Sequence, residues 1–307
     1  MVNTRSRSRA EPLRIDGKSP FTLDYHTEGA ANIVYELTKT NSILPSDEKD
    51  FEAPGRRQRQ KEQPLIDARF KGKLLRLRKA KPASLPVQES QAFFKAKIEP
   101  LFPRGILVDQ VLCEIAPEVM EKCNVQLRKD EKQKFLRDEG REGTYLDEIE
   151  TYGTLVTDML CDEEHASCSF KPKWLLQSPS APAGSKRCRN CALRAMRKSK
   201  ADDDSEIGSF CPLSLVSNDA DVLAGHLDGA MCNMRGEPIS MPEQISYAVP
   251  FLLKSPILPL LRGLQERFDA VGPMEADVQS EEFRIAMTLR DCSLLMKVSA
   301  AQSPSPP

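Results

Sequence analysis

The sequence predicts a mixed α+β fold, on three observations. Residues 21–37 read as strand, turn, strand: FTLDY, then HTEGAAN, then IVYEL. Residues 72–79, GKLLRLRK, alternate apolar and basic side chains after Leu75, the period of a half-exposed strand. Residues 88–104 and 114–150 instead carry apolar side chains at helical spacing among many charges. The chain has 307 residues, enough for one large or two small domains. Hydrophobic residues make up 40% and charged residues 29%, which suits a folded core that carries exposed loops and tails.

Taken in order, residues 1–20 are an expected disordered basic arm, with no apolar region behind it to make a signal peptide. The hairpin follows, then a polar and charged loop over residues 38–68 that is expected to be mobile. After the strand at 72–79 and the two helical regions, residues 154–159 suit another strand, and residues 201–209 an acidic loop. Residues 222–231 and 257–270 read as helices. Residues 283–298 read as a strand, a turn at Arg290-Asp291-Cys292, and a second strand. The tail SAAQSPSPP, residues 299–307, is low in complexity and cannot pack. The most apolar stretch, 247–261, is broken by Pro250, Lys254, Pro256 and Pro259 and does not read as a membrane span. Nine cysteines, an odd number without a secretory signal, argue for reduced thiols and a nuclear or cytoplasmic protein.

One segment stands out electrically. Residues 171–200 hold nine Lys and Arg and no acid, in a chain of formal net charge -1. Such a segment calls for a polyanionic partner: nucleic acid, an anionic membrane surface, or a phosphate-dense small molecule. Within it, Lys171 and Lys173 flank Pro172. In an extended chain residues two apart point the same way, so both ammonium groups would project together. Cys188 and Cys191 form a C-x2-C pair. Zinc usually needs four ligands. Cys161 and Cys168 lack a standard spacing, and His26, His165 and His226 complete no familiar pattern, so no metal is assigned. The pair reads as two reduced thiols at the start of a helix bearing Arg189, Arg194, Arg197 and Lys198.

Three further positions carry phosphoryl chemistry by type. The small-residue turn Glu28-Gly29-Ala30-Ala31-Asn32 would let backbone N–H groups approach phosphates. Arg76 offers a strand cation, and Asp291 a carboxylate able to deprotonate a hydroxyl or hold Mg2+.

In this order the pieces resemble the inositol-pentakisphosphate 2-kinase family, in its fungal form. EGAANIV looks like its glycine-loop motif, GKLLRLRK like its N-lobe strand, and FKPKW like its E-I-K-P-K hallmark. CRNCALRAMR, CPLSLVS and RDCSLLM are similar to its later motifs. Ser169 stands where the hallmark has glutamate, Ala30 where the loop has a second glycine, and Arg197 where the family has lysine. The resemblance implies a two-lobed inositol polyphosphate kinase fold related to the protein-kinase N-lobe. It implies a nucleotide-binding N-lobe over 21–160 and an inositol phosphate-binding, catalytic C-lobe over 161–298. It also implies ATP-dependent transfer to the 2-hydroxyl of inositol 1,3,4,5,6-pentakisphosphate, giving phytic acid. Glu28, Gly29, Ala30, Ala31, Asn32 and Arg76 would then hold the nucleotide. Lys171, Lys173, Arg189 and Arg197 would hold substrate phosphates, and Asp291 would act on the hydroxyl. The family continues past D-C-S to a D-L-D-L-K motif that binds Mg2+. Here SAAQSPSPP follows, so an incomplete C-lobe is expected. The partners implied are inositol pentakisphosphate and ATP, with a monomer, no membrane and no nucleic acid. Two alternatives remain: a catalytically impaired binder of inositol polyphosphates, and a zinc-stabilised nucleic-acid binder, for which the basic stretch, with Trp174 alone, is poor in stacking rings.

Overall fold

The structure, a computed structural model, describes residues 13–39, 68–81, 85–133, 137, 139–159, 165–201, 211–228, 230–232 and 242–299. The chain divides into two compact units, Met1–Asp158 and Met159–Pro307. The fold is mixed α+β, with a six-stranded sheet, a three-stranded sheet and seven α-helices among the described residues.

The first unit is built on the six-stranded sheet. Its strands are β1 (Leu13–Ile15), β2 (Phe21–Glu28), β3 (Asn32–Lys39), β4 (Lys73–Arg78), β5 (Gln110–Ile115) and β6 (Tyr152–Thr157), in the order β1-β5-β6-β4-β3-β2. Only β1 and β5 run parallel. Alternation sets the faces: Ile33, Tyr35, Leu75, Leu77 and Leu155 bury on the core side. Helix α2 (Pro117–Gln133) closes that side. It starts on a proline with Glu118 in the first turn, and Val119, Met120, Cys123 and Leu127 form its buried stripe. At Gly153 a Cβ would come within 2.8 Å of Leu77 Cδ2 and 3.1 Å of Leu75 Cδ1, so this strand position admits only glycine without a shift. Helix α1 (Val87–Phe93) continues through a wide turn at Phe94–Ile98 and a tight one at Glu99–Leu101.

The second unit has the three-stranded antiparallel sheet, with β7 (His165–Phe170) between β8 (Met231–Cys232) and β9 (Leu294–Ser299). Around it lie α3 (Arg189–Ala201), α4 (Ala220–Asp228), α5 (Pro242–Lys254), α6 (Ile257–Phe268) and α7 (Glu281–Asp291). Leu223 and Leu227, Val249 and Leu252, Leu261 and Leu264, and Ile285 and Leu289 supply its buried apolar residues. No single described helix is long and apolar enough to cross a membrane.

The structure corrects several local expectations. Residues 13–15, expected within a disordered arm, form β1, because Ile15 is buried beside β5. Residues 1–12, the loop at 40–67, Cys161, the acidic loop at 202–210 and the tail from 300 lie outside the described residues. Residues 114–150 are not one helix: β5 precedes α2, and the segment from 139 is turns, where Gly143 adopts φ +73°. Strands β1, β5, β7 and β8 were not foreseen. Residues 283–291 are helix α7 rather than a strand. Their apolar alternation is real, but Ser280 caps the helix by accepting a hydrogen bond from Phe283 N at 3.1 Å, and Ile285, Ala286 and Leu289 bury one helical face. Asp291 is therefore the last residue of a helix and not a hairpin turn.

Candidate functional site

In the first unit, the candidate residues gather at one end of the sheet. The hairpin tip is tight: Gly29 N donates to Asn32 O at 2.9 Å, and Lys79 N donates to Ala31 O at 2.9 Å. Gly29, Ala30 and Ala31 are exposed, and among the described residues nothing accepts from the Ala30 or Ala31 N–H. No described atom lies within 4 Å of a Cβ built on Gly29, and its φ is outside the left-handed region. The fold itself therefore does not require glycine there. The small residues leave two unused backbone donors open at the tip, which is the kind of feature an anion can occupy.

Arg76 lies two residues in from that end, on β4 opposite Val34 and Thr154, and on the face away from the core. Its Nη2 donates to Gln110 Oε1 at 2.8 Å, and among the described residues it has no carboxylate partner. Burial holds its pKa below the usual guanidinium value. Arg78, on the same face, is instead taken up by Asp147 and by Glu150 at 3.2 Å. A half-buried cation without a counter-charge is costly unless an anion arrives.

Glu28 points inward. Its side chain is 2% exposed and accepts from Arg137 Nε at 2.7 Å, Tyr25 OH at 3.1 Å and Lys79 Nζ. Arg137 also pairs with Glu131, whose Oε2 accepts from Tyr145 OH at 2.6 Å. Burial opposes ionisation of Glu28, but Arg137 and Lys79 outweigh it and hold the carboxyl below the usual range. Two carboxylates and two cations thus lock the base of the hairpin. The Glu28 side chain is engaged in holding that hairpin, and Lys79 and Arg137 are positioning residues that the sequence reading missed. Lys79 ends the alternating run of the strand, and it is 1% exposed.

In the second unit, Lys171 and Lys173 converge on one carboxylate. Lys171 Nζ donates to Asp291 Oδ1 at 3.0 Å and to its backbone oxygen at 3.1 Å, and Lys173 Nζ donates to Oδ1 at 2.7 Å. The convergence does not arise from extended alternation, because Lys173 has φ +52°. It is held by Gln265 on α6, whose side chain is fully inside. Gln265 Nε2 donates to Lys173 O at 2.6 Å and to Leu289 O at 3.2 Å, while its Oε1 accepts from Leu175 N at 2.9 Å. One amide thereby ties the Lys-Pro-Lys segment to the end of α7. A glutamine in register with Leu258, Leu261 and Leu264 was the available sequence signal.

Asp291 sits at the negative end of the α7 dipole, an unfavourable place for a carboxylate. Partial burial also opposes its ionisation, but hydrogen bonds from Lys173 and Lys171 outweigh both and hold it below the ordinary aspartate value. Trp174 is buried, with the Arg290 guanidinium 3.5 Å and the Arg189 guanidinium 5.8 Å from its ring centroid. Arg290 is buried and paired with Asp269. Arg189 has no described carboxylate partner, and neither has Arg197, which stands exposed two turns along α3. The structure thus brings Lys171, Lys173 and Asp291 into contact and places Arg189 beside them across Trp174. No described contact joins Arg197 to the group. Two lysines meet one carboxylate, with Arg189 on the Trp174 ring next to them in the chain.

Among the described residues no cluster of three or more His, Cys, Asp or Glu ligands includes Asp291, which is already engaged by two ammonium groups. The described residues do not assemble a Mg2+ site. The metal-ligating cluster that does form is of cysteines: Cys188, Cys191 and Cys211. Cys168, considered beside Cys188 and Cys191, is buried in β7 and is not part of it.

The family model described as inositol-pentakisphosphate 2-kinase matches residues 25–306. A relative from Yarrowia lipolytica (strain CLIB 122 / E 150) named inositol-pentakisphosphate 2-kinase is 30% identical over 137 residues. That match covers 44% of this chain and spans 42% of the relative's length.

Proposed function

The chain belongs to the inositol-pentakisphosphate 2-kinase family, and from that premise we propose that it transfers the γ-phosphate of ATP to the 2-hydroxyl of inositol 1,3,4,5,6-pentakisphosphate, giving inositol hexakisphosphate. The observation that carries this reading is the convergence of Lys171 and Lys173 on Asp291, with Arg189 alongside. A substrate with five phosphates needs several cations close to a base, and lysine and arginine are the residues that supply them.

In the proposed step, Asp291 accepts the proton of the 2-hydroxyl as its oxygen bonds to the γ-phosphorus. The bond from that phosphorus to the β,γ-bridging oxygen breaks, and ADP leaves. Lys171, Lys173, Arg189 and Arg197 hold substrate phosphates. Arg76 offsets nucleotide phosphate charge, and the free amides at Ala30 and Ala31 bind phosphate oxygens, on a first unit related to the protein-kinase N-lobe. A kinase family implies ATP, with Mg2+ as its typical partner; when bound, the metal supplies charge neutralisation at the transferring phosphoryl group. The same proposal includes a monomer in the nucleus or cytoplasm. Seven of the described cysteines are in no disulfide, which suits a reducing compartment.

The test is incubation of the purified chain with ATP, Mg2+ and inositol pentakisphosphate, followed by anion-exchange separation of the products. ATP-dependent hexakisphosphate, lost in Asp291→Asn, is the expected result. Tight hexakisphosphate binding without turnover would replace the kinase reading with that of a binder, and salt-sensitive binding to generic DNA without either would overturn both.

A further inference from the structure

We propose that Cys188, Cys191 and Cys211 form a thiolate site for a soft divalent cation of the Zn2+ type, and that filling it fixes the first turn of α3 and with it Arg189. The metal site rests on the cysteines alone. Its coupling to inositol phosphate rests on the reading of Arg189 given above.

The sulfur geometry is that of a ligand set. All three Sγ atoms lie within 4.8 Å of one another, and Cys211 Sγ is 3.6 Å from Cys188 Sγ. Two thiolates about 2.3 Å from a tetrahedral zinc stand about 3.8 Å apart. A disulfide would need about 2.05 Å. Three sulfurs brought this close from two separate segments could accept one ion with little movement.

The surroundings favour thiolate. Cys188 immediately precedes α3, where unpaired N–H groups and the helix dipole stabilise negative charge, and its Sγ accepts from Cys191 N at 3.4 Å. Arg194 Nη2 lies 3.2 Å from Cys191 Sγ. Three thiolates around a divalent ion leave one net negative charge, which Arg194 can offset. A divalent ion binding here would displace the protons of the thiols. Cys188 is buried while Cys191 and Cys211 are half-buried, so a fourth ligand could come from solvent.

The placement gives the site a consequence. Arg189 opens α3 between Cys188 and Cys191. Cys211 is itself fixed by the turn it opens, since its carbonyl accepts from Ser214 N at 3.0 Å and Ser214 Oγ at 2.7 Å. A metal joining them would tether the helix start to that turn across 23 residues of sequence and narrow the positions open to Arg189.

The probes are Zn2+ and Co2+, with the full chain purified under reducing conditions. One equivalent of Zn2+ by elemental analysis is expected, together with a thiolate-to-Co2+ charge-transfer band on Co2+ exchange. Cys211→Ser and Cys188→Ser should lose both. The Co2+ band on the unaltered chain decides the matter even if a variant fails to fold: absence of metal and band overturns the site. A Cys188–Cys211 disulfide with no bound metal also overturns it. Removing Zn2+ with a chelator should weaken inositol pentakisphosphate binding about tenfold, within the usual span of site-to-site coupling. Unchanged affinity after metal removal overturns the coupling. If Arg189→Ala leaves that affinity unchanged while Zn2+ still binds, the role assigned to Arg189 is at fault and the metal site stands.

Discussion

Replacing Gln265 with leucine removes the amide that joins the Lys-Pro-Lys segment to α7 without changing the size of the side chain much. Three backbone groups depend on it. Leu175 N loses its acceptor, and Lys173 O its donor at 2.6 Å. Leu289 O keeps a partner, because Cys292 Sγ still donates to it at 3.2 Å. Two orphaned groups at about 1–3 kcal/mol each give an expected loss of about 2–6 kcal/mol. That is a large part of the ~5–15 kcal/mol that holds a domain together. Lys173 adds a second effect. Its left-handed backbone costs about 1–2 kcal/mol, and the contact to Gln265 helps to maintain it. Gln265→Leu should therefore release Lys173 from Asp291 as well as destabilise the unit. Urea denaturation followed by tryptophan fluorescence measures the first effect, since Trp174 is the chain's one tryptophan and lies beside the affected segment. Calorimetric titration with inositol pentakisphosphate measures the second. A loss below about 1 kcal/mol, far less than two orphaned buried groups should cost, with unchanged affinity, would refute the reasoning.

Other perturbations separate holding from binding. Gly29→Ala meets no described atom within 4 Å, so the melting temperature should stay the same while the KM for ATP rises; a lower melting temperature would show that the turn needs glycine. Arg76→Met removes a half-buried cation with no described carboxylate partner, so the unliganded protein should be no less stable, and turnover at low ATP should fall. Glu28→Gln leaves Lys79 and Arg137 under-compensated and should cost about 3–5 kcal/mol in thermal or urea unfolding, the range for breaking a buried pair. Asp291 has a lowered folded pKa, so the stability it contributes is present above its unfolded pKa and is lost as pH falls through the folded one. At 61% side-chain exposure that contribution is about 0–1 kcal/mol. The acid limb of kcat/KM should accordingly lie below the ordinary aspartate range and move to higher pH in Lys173→Ala; an unmoved limb would remove Asp291 from the proton transfer.

The hairpin and β4 were legible because alternation and small turn residues report backbone geometry directly. Helix α3 was legible from its basic spacing. Helix α7 was not, because FRIAMTL satisfies a period of two as well as it satisfies a helical face, and only the cap at Ser280 decides between them. Strand β7 was missed because HASCSF is short and weakly apolar, and it is defined by pairing with β9, more than a hundred residues away. Local motifs identified Lys171, Lys173 and Asp291, but not their mutual contact. That contact depends on Gln265, and a single polar residue on a helix carries no sign of its partners. Cys211 was likewise invisible as a partner of Cys188, since no spacing rule joins positions 23 apart.

The geometry at Asp291 also shapes how its base could work. In the structure its two lysines lower its affinity for a proton, and a carboxylate so held is a weak base. Those lysines are the cations proposed to bind substrate phosphate. They extend from a segment 118 and 120 residues away in sequence, and their ammonium groups are 40–46% exposed at the side chain. An arriving phosphate would compete for them with more charge than one carboxylate has. As the ammonium groups turn to the phosphate, Asp291 would lose the contacts that depress its pKa while remaining at the unfavourable end of α7, and both changes raise its basicity. The same ion pairs would then keep the base weak in the empty site and strengthen it only when a polyphosphate is in place.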